Sequence, residues 1–253
     1  MKSFIPYLGG KSRLAKQIIS MFPEHSTYVE VFGGAGNIFF RKEPVDVEVI
    51  NDINSDLINL YRVVKYHLQE FCRSLEWLLV SRSEFKKFLE TPPDVLTDIQ
   101  RAVRYYYLAK TCFGGKVVGQ SFGYAPSDAP RFNFLRAESD LTDAHMRLSS
   151  CYIENLPYTD IIRRYDRPYT LFYLDPPYHG CADDYGKHIF ADSDYQVLAD
   201  SLATIKGKFC MSLNDVPVIR EIYNKFRIVS VGVKYSVSLK GNTDAKEVVI
   251  MNY

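Results

Sequence analysis

The sequence has little of what marks an exported, membrane-spanning or metal-binding protein. Nowhere in its 253 residues do about 18 apolar side chains follow one another as a membrane helix needs, and the first residues contain no apolar run of signal-peptide length. The 5 cysteines are widely spread and include no Cys-x-x-Cys pair, which argues against a disulfide framework and against a zinc site. We therefore expect a soluble cytoplasmic protein with reduced cysteines and no bound metal.

An excess of charge of either sign is also missing. The formal net charge is +1, so the whole chain does not by itself indicate a nucleic-acid partner. Residues 101–136 differ, because Asp128 is their only acid and the basic residues are Arg101, Arg104, Lys110, Lys116, Arg131 and Arg136. Aromatic side chains are interleaved with them. Such a surface suits phosphates and stacked bases; the alternative is that Tyr105, Tyr106 and Tyr107 are helix core and the charges a solvated face.

Apolar spacing divides the chain into three regions without repeats. The first, residues 1–62, reads as a helix over 14–21, a strand over 27–32, a helix start over 37–40 and a strand over 45–50. Residues 63–149 are mostly helical, with a break at Thr91-Pro92-Pro93. In residues 150–253 strands return over 150–153, 171–174, 208–213, 227–233 and 247–251. The pattern predicts one open α/β sheet that is split by a mostly helical insertion.

A glycine-rich segment, Glu30 to Gly36, follows the first predicted strand and is expected to open a helix. Alone it is consistent with a simple tight turn. Asp52, however, ends the next strand about 19 residues beyond Gly33, where nucleotide-binding sheets hold ribose hydroxyls. Gly33, Gly36 and Asp52 together therefore predict a nucleoside pocket. No Gly-Lys-Ser/Thr tail follows these glycines, and Glu30 and Asp52 would repel a pyrophosphate, so a nucleoside with a cationic amino-acid tail fits better.

The segment Asp175-Pro176-Pro177-Tyr178 follows an apolar strand and is the strongest motif. Two prolines end the ladder and stiffen the loop, and a rigid turn without chemistry is the alternative. Loops at the carboxyl ends of strands are where open α/β sheets bind ligands. The Asp175 carboxylate and the Pro176 carbonyl can accept the two N–H bonds of an exocyclic amine such as adenine N6. The Tyr178 ring can stack on a base that has been swung out of the duplex.

The chain resembles the Dam-like (D12 class) family of adenine-specific DNA methyltransferases over nearly its whole length. The matching elements occur in the family's order: Tyr7 to Lys11, Glu30 to Gly36, Asn51 to Asn54, a helical insertion, Asp175 to Tyr178 and a closing strand from Glu247 to Tyr253. The resemblance implies a Rossmann-like sheet that binds S-adenosyl-L-methionine, with an inserted target-recognition domain. It implies transfer of a methyl group to adenine N6 in double-stranded DNA, with S-adenosyl-L-homocysteine as product.

The resemblance also implies roles for individual positions. Tyr7 and Lys11 would contact the cofactor, although each alone reads as a core aromatic and a solvated lysine. Phe32, Gly33 and Gly36 would line its methionine end, Asp52 would bind its ribose, and Asn155 would read its adenine. Asp175 would touch both the cofactor and the target amine, so the expected catalytic residues are Asp175, Pro176 and Tyr178.

Within the insertion, residues 111–116 resemble the loop with which the family enters DNA beside the target base. Phe113, Lys116 and Arg131 are the DNA contacts that we expect here. Lys110, Gly114 and Val118 stand where the Dam branch carries Asn and Arg residues, which leaves open a recognition site other than GATC or a more relaxed one. The sequence predicts three parts: methyltransferase core over 1–62, DNA recognition over 63–149, and core with the catalytic motif over 150–253.

Other functions stay open on the sequence alone. A motif of this kind serves any planar amine, so methylation of RNA or of a protein amide is a rival, although the helical insertion favours DNA. A catalytically silent DNA-binding relative is another, which the intact Asp52 and Asp175 disfavour. The sequence leaves a partner restriction endonuclease and the oligomeric state undecided.

Overall fold

A computed structural model describes residues 1–7, 9, 11–124, 132–180, 189–234 and 244–253. Its strands are β1 (Thr27–Glu30), β2 (Val47–Asn51), β3 (Tyr152–Glu154), β4 (Thr170–Leu174), β5 (Lys208–Asn214), β6 (Arg227–Lys234) and β7 (Asp244–Met251). They form one sheet of order β3-β2-β1-β4-β5-β7-β6. β1 to β5 pair in parallel, and β7 is antiparallel to both of its neighbours. The predicted strands are thereby confirmed.

The helices of the described chain are α1 (Ala15–Ile19), α2 (Ser55–Tyr66), α3 (Leu68–Glu76), α4 (Arg82–Glu90), α5 (Asp98–Thr111), α6 (Phe134–Leu148), α7 (Tyr158–Tyr165), α8 (Asp192–Leu202) and α9 (Pro217–Ile222). Capping residues set the starts of two of them: the Asn54 side chain accepts from two backbone N–H groups of α2, and Thr97 forms a capping box with Gln100 at α5. α4 ends just before the predicted break at Thr91, since the two prolines that follow cannot continue it.

Both faces of the central strands are buried. Every residue of β1 and β4 is buried, as expected for parallel strands covered by helices on two sides. One apolar cluster contains Ile50, Leu171 and helix residues such as Tyr61, and the other contains Val29, Phe172 and Leu198. The predicted α/β class, with a Rossmann-like methyltransferase sheet, is confirmed. Because β1, β2 and β4 are parallel, the segments that follow them meet at one edge of the sheet.

The helix that we expected after the glycine-rich segment is absent. Residues 31–46 form turns and bends instead. The backbone N–H of Phe39 donates to Glu30 Oε2 at 2.8 Å, so it is not available to a carbonyl one helical turn earlier. Gly34 and Gly36 have φ angles of +47° and +63°, which are outside the right-handed helical region. The connection between β1 and β2 is therefore a tight series of turns.

The helical insertion shares a core with the first part of the chain. Phe4 packs against Tyr61 of α2 and Tyr106 of α5, at ring-centroid distances of 5.7 and 6.3 Å. Glu48 of β2 pairs with Arg147 of α6, with Nη2 to Oε1 at 2.8 Å, and both are largely buried. α2 itself runs across residue 62, where the sequence divides the chain. The three-part division stays a prediction.

Candidate active site

A cavity of about 210 Å³ lies where the segments after β1, β2 and β4 meet. Its wall includes six of the residues predicted from the sequence: Tyr7, Lys11, Phe32, Gly33, Asp52 and Asp175. Other predicted residues support this wall or lie beside it, and Asn155, Gly36 and Tyr178 are among them. The sequence motifs thus converge at one place although they are far apart along the chain.

The glycine-rich segment approaches β2 more closely than any side chain would allow. A Cβ on Gly33 would lie 2.8 Å from the Asn51 carbonyl oxygen, to which the Gly33 N–H donates at 2.7 Å. At Gly36 a Cβ would lie 2.9 Å from the ring of Phe40, and its φ is positive. Gly33 therefore borders the cavity, whereas Gly36 shapes the turn behind it.

Asp52 organises the same turn. Its Oδ2 accepts the N–H of Gly34 at 2.8 Å, and its Oδ1 accepts the N–H of Asn54 at 2.8 Å. Burial raises the pKa of Asp52, and these backbone donors oppose that shift. The hydroxyl of Tyr61 donates to the Gly34 carbonyl at 2.6 Å. The Gly34 peptide is therefore held at both its N–H and its carbonyl, and the sequence analysis did not predict the contribution of Tyr61.

Asn51 joins three segments at the floor of the site. Its amide nitrogen donates to the carbonyls of Val31 at 2.9 Å and Leu156 at 3.0 Å, and its oxygen accepts the N–H of Leu156 at 2.9 Å. Asn155 turns to structural partners, since its amide donates to the Asp52 carbonyl at 2.7 Å and accepts from Ser55 at 3.0 Å. Leu156, rather than Asn155, forms this part of the cavity wall.

Three aromatic rings form another wall. Phe32 lies 5.8 Å from Tyr158 and 5.9 Å from Phe190, and Tyr158 lies 5.7 Å from Phe190, all between ring centroids. The Tyr158 hydroxyl donates to Asp194 Oδ1 at 2.9 Å, which ties the start of α7 to α8. Only Phe32 was predicted. The other residues belong to segments without a motif, so no sequence signal pointed to them.

Glu30 is a buried acid at the base of the cavity. It accepts the Tyr28 hydroxyl at 2.7 Å and the Phe39 N–H at 2.8 Å, both at Oε2. Burial raises the pKa of Glu30 to about 8, even though these two donors lower it, and the nearby Asp175 raises it. The site therefore contains a carboxyl group that takes up or releases a proton near neutral pH.

Asp175 is paired with Lys11. The Lys11 ammonium lies 2.8 Å from Asp175 Oδ1, 3.1 Å from the Gly9 carbonyl oxygen and 4.4 Å from the centre of the Tyr178 ring. Its side chain is 4% exposed, so it is not a solvated lysine. Burial raises the pKa of Asp175 and the Lys11 ammonium lowers it. Lys11 thus contacts both Asp175 and Tyr178 of the predicted catalytic motif.

The loop that contains the motif is held by α8 and by β5. The Pro177 carbonyl accepts the Tyr195 hydroxyl at 2.8 Å. Asn214, at the end of β5, accepts the N–H of His179 at 3.1 Å and donates to its carbonyl at 3.0 Å. Burial raises the pKa of Tyr178, and the nearby carboxylates of Asp175 and Glu247 raise it further. Contacts on each side thus fix this segment.

Two of the three predicted DNA contacts, Phe113 and Lys116, lie on a loop after α5. Cys112 and Phe122 form an antiparallel bridge, and the Phe113 N–H donates to the Ser121 carbonyl at 2.8 Å. Phe113 is 57% exposed, and Lys116 is exposed as well. Arg131 lies outside the described residues. On α5 itself Tyr106 and Tyr107 are fully buried, so for these two rings the core alternative is confirmed.

A groove of about 670 Å³ runs beside this loop and shares Tyr7 and Asn37 with the cavity. The N-terminal segment, the end of α5 and the start of α6 form its sides. The basic residues along it are Lys2, Arg41, Lys110 and Arg136, against the single acid Asp140. The groove is therefore positively charged, and the cavity that it adjoins is lined by acids.

Two further features are absent from the residues that the structure describes. No helix there combines the length and the hydropathy that crossing a bilayer requires. That part of the chain also has no cluster of His, Cys, Asp or Glu side chains that could hold a metal ion.

Comparison with known proteins places the chain in a family. The family model of the D12 class N6 adenine-specific DNA methyltransferases matches residues 7–237. The Type II methyltransferase M.CviBI of Paramecium bursaria Chlorella virus NC1A is 26% identical over the whole of both chains. M.MjaIII of Methanocaldococcus jannaschii is 25% identical, over 100% of this chain and 99% of its own. The DNA adenine methylase of Escherichia coli K12 is 24% identical, over 97% and 92%. The chain belongs to the D12 class of N6 adenine-specific DNA methyltransferases, which are S-adenosylmethionine-dependent enzymes.

Proposed function

We propose that the cavity between Asp52 and Asp175 holds S-adenosyl-L-methionine and that a flipped adenine of double-stranded DNA reaches Asp175 from the basic groove. The enzyme methylates adenine N6 in DNA at specific sites, as its family does. Cofactor binding, acceptance of the N6 protons and stacking on the target base are each assigned to particular residues. One observation carries the proposal: the Asp175 carboxylate, 20% exposed and paired with the buried Lys11, lies with a proline-stiffened loop at an acid-lined cavity.

The donors and charges of the cavity fit this cofactor. When bound, S-adenosyl-L-methionine supplies an electrophilic methyl group on a sulfonium. Glu30, Asp52 and Asp175 line the cavity and favour cationic groups over a pyrophosphate. Each oxygen of Asp52 accepts one backbone N–H, but a carboxylate offers about four acceptor sites, so ribose hydroxyls can still be bound. Leu156 and the aromatic wall provide apolar surface for the adenine ring.

The residues of the catalytic motif suit an exocyclic amine. Within the described residues no hydrogen bond reaches the Pro176 carbonyl or Asp175 Oδ2, whereas the Pro177 carbonyl is taken by Tyr195. The two acceptors can bind the two N–H bonds of adenine N6. As the nitrogen lone pair forms the bond to the methyl carbon, the nitrogen gains positive charge, which the Asp175 carboxylate stabilises before it accepts one of the protons. The electron pair of the broken bond stays on sulfur, which gives neutral S-adenosyl-L-homocysteine.

Tyr178 and the groove account for the base and the duplex. The Lys11 ammonium lies over the Tyr178 ring, and we assign to this ring the stacking on the target base. Lys2, Arg41, Lys110 and Arg136 suit contacts with phosphates, which dominate DNA affinity. Phe113 and Lys116 extend the same surface. A partner restriction endonuclease is part of this proposal, since M.CviBI and M.MjaIII are named Type II methyltransferases.

The test is to express the protein in cells without adenine methylation and to sequence their DNA with detection of N6-methyladenine. We expect methylation at one short motif, and none with Asp175→Ala. Purified protein would be given duplex DNA, RNA and a glutamine-containing peptide with radiolabelled S-adenosyl-L-methionine. Methylation of RNA or peptide but not of DNA would contradict the proposal. Cofactor and DNA binding without transfer to any substrate would indicate a silent relative.

A further inference from the structure

A buried hydroxyl chain lies behind Asp175. Ser212 of β5 is fully buried. Leu174 of β4 pairs with Met211 of β5, so the residues that follow them, Asp175 and Ser212, are also neighbours. The Ser212 hydroxyl lies 3.0 Å from Asp175 Oδ1 and 2.8 Å from the Tyr173 hydroxyl. Neither Ser212 nor Tyr173 is part of the sequence motif for which an active-site role was predicted.

The direction of these hydrogen bonds follows from their donors. An ionised carboxylate only accepts, so Ser212 must give its one proton to Asp175. Tyr173 must then donate to Ser212. Burial raises the pKa of Tyr173, so the phenol keeps the proton that this requires. We call Tyr173, Ser212 and their two hydrogen bonds the Tyr173–Ser212 chain, and it delivers one donor to the catalytic carboxylate.

This donor and the Lys11 ammonium reach the same oxygen. Lys11 lies 2.8 Å from Oδ1, and Ser212 also binds Oδ1. No described residue forms a hydrogen bond to Oδ2. We propose that the Tyr173–Ser212 chain positions Asp175 for catalysis, so that Oδ1 is tied by protein donors and Oδ2 is presented to the target amine. This inference rests on the proposed role of Asp175 as acceptor of the N6 protons.

Two consequences follow if the Tyr173–Ser212 chain is removed. The carboxylate gains freedom to rotate, since one of the two groups that fix its plane is gone. It also loses a donor that favours the charged form, so its protonation is expected to begin at higher pH. The other charged or titratable groups near Asp175 are Lys11 from the N-terminal segment, Glu30 on β1, Tyr178 in the motif and Glu247 on β7. These stay in place in the variants proposed here.

The test uses Ser212→Ala and Tyr173→Phe in the full-length protein. The titration of Asp175 would be followed by NMR of ¹³C-labelled aspartate carboxyls without ligands, with the signal assigned by its loss in Asp175→Asn. We expect the midpoint to rise in Ser212→Ala, and to rise less in Tyr173→Phe, where the serine donor remains. We also expect kcat to fall about tenfold in Ser212→Ala while the KM for the cofactor changes less than about twofold, since the lost interaction acts in the transition state.

Cys210→Ala is the matched control, because Cys210 is fully buried two residues earlier on the same face of β5. If Cys210→Ala lowers kcat and thermal stability as much as Ser212→Ala does, packing explains the effect and the proposal is wrong. An unchanged Asp175 midpoint in both hydroxyl variants would also overturn it. A shifted midpoint in a protein that methylates no DNA would instead support the chain and contradict the proposed function. Failure of Ser212→Ala to fold leaves Tyr173→Phe to decide by the same two measurements.

Discussion

The cavity and the insertion are built in different ways. Around the cavity, polar groups are buried and mutually bonded: Asp52 holds two backbone N–H groups, Asn51 joins three segments, and Asp175 is fixed by Lys11 and Ser212. On the insertion, Phe113 is 57% exposed and Lys116 is exposed. Buried networks are costly to break, whereas exposed groups act singly. We therefore expect large effects at the cavity and small, separable effects on the insertion.

The largest effect is expected at Asp175. Asp175→Ala should lower methyl transfer by more than about 100-fold, because it removes the acceptor for the N6 protons. DNA binding should persist, since the groove is untouched. Transfer of labelled methyl groups and DNA binding by anisotropy would measure the two effects separately. Asp160→Ala, at a partly exposed acid of α7, is the control and should leave both unchanged. Activity of Asp175→Ala within about tenfold of wild type would exclude the role.

Asp52→Ala is expected to act on binding rather than on chemistry. Removing a buried carboxylate that holds two N–H groups should weaken cofactor affinity about 10- to 100-fold, from the ~1.5–3 kcal/mol of hydrogen bonds to charged groups. Calorimetry measures this without turnover. Tyr61→Phe is the graded comparison, because it removes only the hydrogen bond to the Gly34 carbonyl and should cost less than tenfold. Equal affinities for wild type and Asp52→Ala would remove Asp52 from the cofactor site.

These two residues also show what the sequence could predict. Asp52 and Asp175 each follow a strand of a parallel sheet, and parallel strands bring their carboxyl ends to one edge, so the motifs alone were enough to place both beside one cavity. Ser212 and Tyr61 were not predictable in this way. Each acts through one hydrogen bond to a group 37 or 27 residues away, and that partner is fixed only by tertiary packing.

The expected helix after Gly36 was wrong for a similar reason. The local sequence pattern favoured a helix, but the Phe39 N–H donates to the buried Glu30 side chain instead. In addition, Gly34 and Gly36 adopt positive φ angles. A tertiary hydrogen bond thereby replaced a helical one. The apolar periodicity of the strands was not subject to such competition, because burial on both faces reinforces it.

The buried Glu30 carboxyl gives the cavity a pH dependence. Its pKa is raised from 4.5 to about 8, so the folded protein keeps a proton that the unfolded chain releases between these values. The free energy of unfolding should therefore fall as pH rises through this window, and it should fall less in Glu30→Gln. Chemical denaturation of both proteins at several pH values would measure the difference. A parallel decrease in the two proteins would show that Glu30 is not the titrating group.

The protonation of Glu30 should also affect the affinity for the cofactor. A cation near Glu30 favours the carboxylate, so below pH 8 binding of S-adenosyl-L-methionine should release a proton and weaken as pH falls, by at most about tenfold per pH unit. S-adenosyl-L-homocysteine lacks the sulfonium and should show a shallower dependence. In Glu30→Gln the affinities for S-adenosyl-L-methionine and S-adenosyl-L-homocysteine should depend on pH in a more similar way. Calorimetry in buffers of different ionisation enthalpy would count the protons, and no release at pH 7 would contradict this prediction.

On the insertion, Phe113→Ala should affect base flipping more than cofactor binding. An exposed ring beside glycines that have positive φ is suited to fill the gap that a flipped adenine leaves. A fluorescent base analogue at the target position should brighten with wild type and much less with the variant. Val118→Ala is the comparison, since Val118 is 50% exposed on the same loop. If the Phe113 variant unfolds or flips the base fully, the ring has a structural role instead.

The smallest effect is expected at Lys116, and it tests whether the insertion meets DNA through independent charges. A lysine that contacts one phosphate releases about one counterion on binding, so Lys116→Ala should reduce the slope of log affinity against log salt by about one unit. Affinity should fall equally for specific and unrelated sequences, because phosphates carry no sequence information. Lys206→Ala is the matched control, because Lys206 is an exposed lysine just before the amino end of β5, whereas the cavity lies at the carboxyl ends of the parallel strands. The slope for Lys206→Ala should equal that of wild type. Titrations at several salt concentrations would give both slopes. A Lys116→Ala slope equal to that of the control would mean that this loop lies away from the phosphates, and a loss confined to one sequence would mean that Lys116 reads a base.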